Sequence, residues 1–230
     1  MDVRRYLFIL VAFFFTRNLD ANAQISLGID VGRTNNKLNI NSRYSNLKVD
    51  SKDGYMVNLI VKHRLDKWLT IEASPGVIQK NYFIKNINNI YQNVNNTYLH
   101  LPLSMQCKVY MLNNISISGS FGVYYAYWVN SMISGVAPNI FELSSGLQGD
   151  ELIKVEDINY KYIFTKQDNN SEFGWIAKLG LEYQISNSIS FLINGHYYRG
   201  ITSQQKRIKE VQSKEINETV ALTSGFSYHF

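Results

Sequence analysis

The chain has 230 residues, 45% of them hydrophobic and 18% charged, with a formal net charge of +5. The basic excess is scattered, without a Lys/Arg block or basic–aromatic interleaving, so nothing points to nucleic acid as a partner. A single cysteine, Cys107, excludes a disulfide framework and lies too far from the N-terminus for lipid attachment at a signal-peptide cysteine.

The first segment reads MDVRRYLFILVAFFFTRNLDANAQ. Arg4 and Arg5 precede a ten-residue apolar run, YLFILVAFFF, and Ala21-Asn22-Ala23 fits a small-x-small cleavage site. This pattern predicts a secretory signal peptide over 1–23, leaving 24–230 as one domain. The apolar run is shorter than the roughly 17–25 residues a spanning helix needs. No later stretch approaches that length. The exported chain is therefore expected to be a soluble β-protein or a β-barrel of an outer membrane.

In chain order, a two-residue hydrophobic period marks strands at 24–33, 54–65, 68–83, 97–110, 115–128, 172–184, 189–200 and 217–230. The connectors at 66–67, 111–114 and 185–188 are short. Those at 34–53, 84–96, 129–171 and 201–216 are long and polar. If successive strands are antiparallel neighbours, all long connectors emerge at one end and all short ones at the other. Transmembrane barrels show this asymmetry. Pro75 and Pro102 each remove a ladder donor, which predicts a local irregularity in the third and fourth strands.

The two faces of each strand differ in size as well as polarity. The fourth strand sets Leu99, Leu101, Leu103, Met105, Cys107 and Val109 against His100, Ser104, Gln106 and Lys108. The last sets Val220, Leu222, Phe226, Tyr228 and Phe230 against Thr219, Thr223, Gly225, Ser227 and His229. Small polar residues inside let a narrow barrel close around its own side chains. Aromatics gather near strand ends, at Tyr55, Trp68, Tyr98, Tyr110, Tyr125, Tyr127, Trp128, Trp175, Tyr183, Tyr197, Tyr228 and Phe230, as in interfacial girdles. The expected fold is all-β, an eight-stranded antiparallel up-and-down transmembrane β-barrel with short periplasmic turns and long extracellular loops. A bilayer cannot satisfy an open strand edge, so the sheet must close.

With the apolar face towards lipid, the lumen is predicted to hold Asp30, Lys62, Arg64, Glu72, Lys108, Lys178 and Glu182, together with His100 and His196. Four bases and three acids in so narrow a space should pair, since an unpaired buried charge is costly. The histidines lack metal-ligand spacing, and no glycine-rich phosphate loop or other cofactor motif is present. His100 and Ser104 lie four positions apart on one strand, about 13 Å by strand rise, too far for a dyad. His196 or His229 could meet a serine on a neighbouring strand, but spacing does not settle that geometry. The chain is expected not to be an enzyme.

The longest connector, 129–171, carries an alternation through Ile158, Tyr160, Tyr162 and Phe164 that suggests strands five and six extend beyond the bilayer as a ribbon. This surface is the expected place for an external protein partner. The segment TYLHLPLSMQCKVY at 97–110 and the closing Gly225-Phe226-Ser227-Tyr228-His229-Phe230 resemble the PorT-like outer membrane β-barrel family of Bacteroidota. His100 stands where an acidic residue is frequent in that family. The resemblance implies a cell outer membrane location and an assembly signal in Phe226, Tyr228 and Phe230, read by the barrel-assembly machinery. The expected role is structural, adhesive or assembly-related, exerted through extracellular loops with outer-membrane lipid around the barrel. An ion or small-solute conduit and a lipid-modifying enzyme are the alternatives.

Overall fold

The computed structural model describes residues 25–41, 48–85, 90–112, 114–138, 155–206 and 214–230. The expected signal segment 1–23 lies outside them. Eleven strands make up the described regular structure, and no helix is present among those residues. They are β1 (Ile25–Asn41), β2 (Lys48–Arg64), β3 (Leu69–Ala73), β4 (Gly76–Gln79), β5 (Tyr82–Lys85), β6 (Tyr91–Leu112), β7 (Ile115–Pro138), β8 (Val155–Lys161), β9 (Ser171–Gln184), β10 (Ile189–Gly200) and β11 (Lys214–His229).

Antiparallel pairing runs β2–β1–β11–β10–β9–β7–β6. The three short strands β3, β4 and β5 lie end to end and bridge β2 to β6. Counted together they form one wall, so the ring has eight walls and no open edge, as expected. The hairpins at 65–68 and 185–188 lie at the same end as the join between β1 and β11, where the Phe230 amide donates to Ile25 O at 3.1 Å.

The third expected strand, 68–83, is corrected to three pieces. Pro75 stands at the first break, where its carbonyl accepts from the Leu59 amide at 2.9 Å and the Ser74 amide donates to Pro102 O at 3.1 Å. Both prolines thus meet at one irregularity. At the second break the Asn81 side chain replaces a ladder bond. Its Oδ1 accepts from the Asn96 amide at 3.0 Å and its Nδ2 donates to Asp53 O at 2.8 Å. Lys80, Asn81 and Tyr82 are consequently buried in succession, which a simple two-residue period does not allow.

Several long connectors are also corrected, because the strands run well past their expected ends. β1 continues to Asn41 rather than residue 33, β2 starts at Lys48 rather than 54, β6 at Tyr91 rather than 97, and β7 runs to Pro138 rather than 128. The reason is an inversion of the faces. Along β1, Leu27, Ile29 and Val31 are exposed outward, but beyond them the outward residues are Arg33, Asn35 and Lys37, and Leu38 is buried inward. Leu38, Tyr82, Val94 and Ile133 form a second core beyond the apolar belt, with Ile40, Val49, Ile84, Ile158 and Tyr162 packed on it. The expected ribbon exists in altered form. β7 beyond Ser131 pairs with the separate strand β8, not with a continuation of β9, and Tyr162 and Phe164 fold inward against Trp128.

Around the middle of the ring, Leu59, Leu101, Leu103, Phe121, Leu179, Leu222 and Phe226 are exposed in a continuous apolar belt. So large an apolar surface exceeds what a water-facing protein tolerates. Tyr55, Trp68, Tyr110, Tyr183, Tyr228 and Phe230 border it, as expected for girdles. Tyr98 and Trp128 are the corrections, since both are buried inside the ring.

Candidate functional site: the lumen and its mouths

From the short-turn end inward, the lumen is built in layers. At the mouth, the Glu182 carboxylate of β9 accepts from Lys108 Nζ at 2.9 Å, with Lys62 Nζ at 3.8 Å and His229 Nε2 at 3.5 Å. Arg64 is half-buried at the rim and lines a 320 Å³ cavity with Lys108, Tyr110, Glu182, Gln184 and His229. Above lies the Glu72–Lys178 pair. Lys178 Nζ donates to both Glu72 oxygens at 2.5 and 2.6 Å, and Ser74 Oγ donates to Oε1 at 2.7 Å. Next comes Asp30, whose oxygens accept from Asn58 Nδ2 at 2.9 Å, Thr223 Oγ1 at 3.0 Å and Asn194 Nδ2 at 3.1 Å. His100 Nε2 is 2.7 Å from Asn58 Oδ1, and His196 Nε2 is 3.0 Å from Thr223 Oγ1.

Eight of the nine predicted lumen residues are therefore enclosed, with Arg64 at the edge. Their hydrogen bonds form three successive layers, linked by charge through Lys62 and Lys178. Each buried carboxylate has more than one polar partner, at least one of them from another wall, the condition under which a buried charge is tolerated.

Above these layers the ring is blocked by Met56, Ile78, Tyr124, Ile176 and Tyr198, all buried. A fourth ion pair, Lys80–Glu172, sits among them and was not predicted. Tyr124 OH donates to Glu172 Oε1 at 2.5 Å, and Asn217 Nδ2 donates to Oε2 at 2.6 Å. The Lys80 ammonium lies over the Tyr124 and Tyr98 rings, 4.6 and 5.2 Å from their centroids. Strand parity could have found this pair. Lys80 is in phase with Glu72, and Glu172 with Lys178.

The chemistry considered for the histidines also has a geometric answer. His229 Nδ1 is 2.7 Å from Ser26 Oγ, and Nε2 is 2.8 Å from Ser190 Oγ. Glu182 approaches the same nitrogen as Ser190. A triad sets serine and acid on opposite nitrogens, which rules out Ser190 and leaves Ser26 facing Nδ1 with Glu182 at 3.5 Å from Nε2. Both serines are buried, so the arrangement pins β1, β10 and β11 together at the mouth. Among the described residues, no group of three or more His, Cys, Asp or Glu is placed to hold a metal.

At the other mouth a cavity of about 150 Å³ opens between the β7 extension, residues 162–168 and the start of β11. Tyr82, Val94, Trp128, Ser131, Asp168 and Glu215 are among its walls. Burial first, and then the neighbouring charge of Asp168, raises the Glu215 carboxyl above its ordinary range.

The family described as outer membrane protein beta-barrel domain matches residues 15–204 of the sequence. The chain belongs to this family. Its apolar belt accordingly faces outer-membrane lipid, its short turns are periplasmic and its extended strands are extracellular. Among solved structures, this outer membrane β-barrel is similar to the outer membrane protein OprG from Pseudomonas aeruginosa. The two are 13% identical with a TM-score of 0.52, over 90% of this chain and 95% of that one. It is also similar to the outer membrane protein AlkL, determined in DMPC lipid bilayers, at 12% identity and a TM-score of 0.50, over 90% of each chain. At such identities the likeness concerns the fold alone. No curated protein matches the chain.

Proposed function

We propose that this outer-membrane barrel is a closed, non-enzymatic scaffold that presents a rigid β-platform outside the cell to a protein partner. The observation that carries the reading is the continuation of β1, β2, β6 and β7 beyond the lipid belt around a core of their own. A mobile loop costs ordering entropy when it binds, and a packed platform has already met that cost. The lumen below supports the same reading, since paired charges and a tyrosine layer fill it from wall to wall. Eight strands leave room for packed side chains only.

The expected partner region, 129–171, narrows to its outward face. Residues 129–138 belong to β7, while Tyr162 and Phe164 serve the core. Among the described residues of 156–168, Tyr160 and Ile163, the latter 83% exposed, are the large apolar side chains offered to the outside. In the wider family the chain stands with the PorT-like branch, on the strength of 97–110, which forms the long strand β6 opposite Pro75. Phe226, Tyr228 and Phe230 all face lipid on β11 and its end, where the barrel-assembly machinery would read them.

The test combines surface crosslinking with conductance. Tyr160→Asp/Ile163→Asp should keep heat-modifiable migration and lose the protein crosslinked to the wild-type surface. An unchanged crosslink refutes the platform role. In planar bilayers the purified protein should give no discrete openings, and regular openings would replace this reading with a conduit.

A further inference from the structure

The extracellular cavity between β7, residues 162–168 and β11 has a chemistry that nothing above uses. Its walls are fixed. Trp128 is stacked between Tyr98 and Tyr162, with centroids 5.8 and 6.1 Å away, and Phe164 meets it edge-on at 4.9 Å. Asp168 is fully engaged by its own turn, accepting from the Thr165 amide at 2.6 Å, Thr165 Oγ1 at 3.0 Å and Tyr162 OH at 3.2 Å.

Two groups in the same cavity have no partner among the described residues. Ser131 is 1% exposed, lines the cavity, and its hydroxyl has no hydrogen-bond partner. Glu215 is half-buried and lines the same cavity, and among the described residues no donor or base pairs with its carboxylate. Buried polar groups are normally satisfied, so an unmade bond of this kind calls for an explanation. A carboxylate and a hydroxyl left open in one aromatic-walled space together ask for a cation that carries N–H donors.

The alternatives fit less well. A calcium ion needs six to eight oxygens, and Asp168 is already saturated by neutral donors. A quaternary ammonium carries no N–H and would leave Ser131 unpaired. A primary ammonium has three donors to place. Glu215 and Ser131 take two of them. Gln204, whose amide nitrogen is committed to Tyr98 OH at 2.8 Å, keeps its oxygen for the third. Tyr82, Val94 and Ile133 then flank a short alkyl stem. We propose that this cavity is a binding site for a primary alkylammonium group, held by Glu215 and Ser131, as on a small amine or the tip of a lysine side chain. The site is separate from the Tyr160–Ile163 surface, so either can fail without the other.

Charge state bears on the same site. Among the described residues, the titratable groups facing Glu215 are Asp168, Tyr82 and Tyr162, and Asp168 adds negative charge at neutral pH. Cation binding should therefore weaken as pH falls and Glu215 is protonated.

The test uses the full chain purified in detergent, with Trp68→Phe/Trp175→Phe so that Trp128 alone reports by fluorescence. Titration with n-butylammonium at neutral pH should saturate at millimolar concentrations. n-Butanol and tetramethylammonium should bind at least about tenfold more weakly. Glu215→Gln should weaken n-butylammonium binding about tenfold or more, with heat-modifiable migration retained. No saturation by n-butylammonium, equal binding of tetramethylammonium, or unchanged affinity in Glu215→Gln would each overturn the assignment. If Glu215→Gln does not insert, Ser131→Ala decides instead, by a several-fold loss or by none.

Discussion

Replacing Lys178 with Met strips the central ion pair of its cation. Lys178 and Glu72 are each 3% exposed at the side chain, and Nζ reaches both carboxylate oxygens at 2.5 and 2.6 Å. After the change, Glu72 retains the Ser74 hydroxyl at 2.7 Å and the charge of Lys62, which it shares with Glu182. Removing one partner of a buried pair costs about 3–5 kcal/mol, and the remaining charge of Lys62 sets this variant towards the lower part of that range. At a urea slope of roughly 2 kcal/mol per molar, the unfolding midpoint should fall by about 2 M. The assay is urea unfolding of the barrel in lipid vesicles, followed by heat-modifiable migration. Glu72→Gln/Lys178→Met removes both charges and should recover most of the loss. A negligible shift in the single variant, or a double variant as unstable as the single, would refute the account of the lumen as a set of mutually dependent pairs.

Gly135, at a φ of 151°, sits where β7 is flanked by β6 and β8, and an added Cβ would lie 2.1 Å from Tyr91 O. Gly135→Val should therefore strain the platform by about 1–3 kcal/mol, seen as protease nicking within 132–161 of a barrel that still inserts; unchanged resistance counts against a rigid ribbon. For Glu215, the raised carboxyl means that the folded chain binds more protons than the unfolded one just above the ordinary carboxylate range. Stability of the outer half should then rise as pH falls through that window and drop above it. Amide exchange corrected for its intrinsic rate should show this trend, and Glu215→Gln should abolish it. Phe230 stacks edge-on with Tyr228 at 4.9 Å on the lipid face of the closing seam. Phe230→Ala should lower outer-membrane accumulation in fractionated cells, and normal accumulation would remove it from the assembly signal.

The lipid-embedded half was legible because each of its strands obeys one rule, bulky apolar residues out and small polar residues in. That rule located Ile25–Val31, Leu99–Val109 and Val220–Phe230, together with the lumen charges opposite them. It failed at Arg33, where the outward residues turn polar and Leu38 turns inward. Read with the lower half's rule, 34–41 looks like a loop. Tyr98 lies near a strand end, as a girdle residue does, but its parity puts it in phase with buried His100. The breaks at Pro75 and Asn81 were only half legible. A proline announces a missing donor, but Asn81 taking over the Asn96 bond depends on a strand distant in sequence. The same limit hid Ser26–His229, whose partners are 203 positions apart and meet only through the β1–β11 register.

The switch of faces between Val31 and Leu38 divides one continuous sheet between two solvents. Below it, outward side chains rest in hydrocarbon and gain little from leaving water. Above it, Leu38, Tyr82, Val94 and Ile133 come together by dehydration, whose strength varies with temperature and carries a large heat-capacity change. The halves should therefore answer cooling differently. Chilling loosens the extracellular cap while the embedded ring, held by hydrogen bonds and lipid confinement, stays shut. One set of strands thus has two stability curves, and temperature acts on the part that faces the environment.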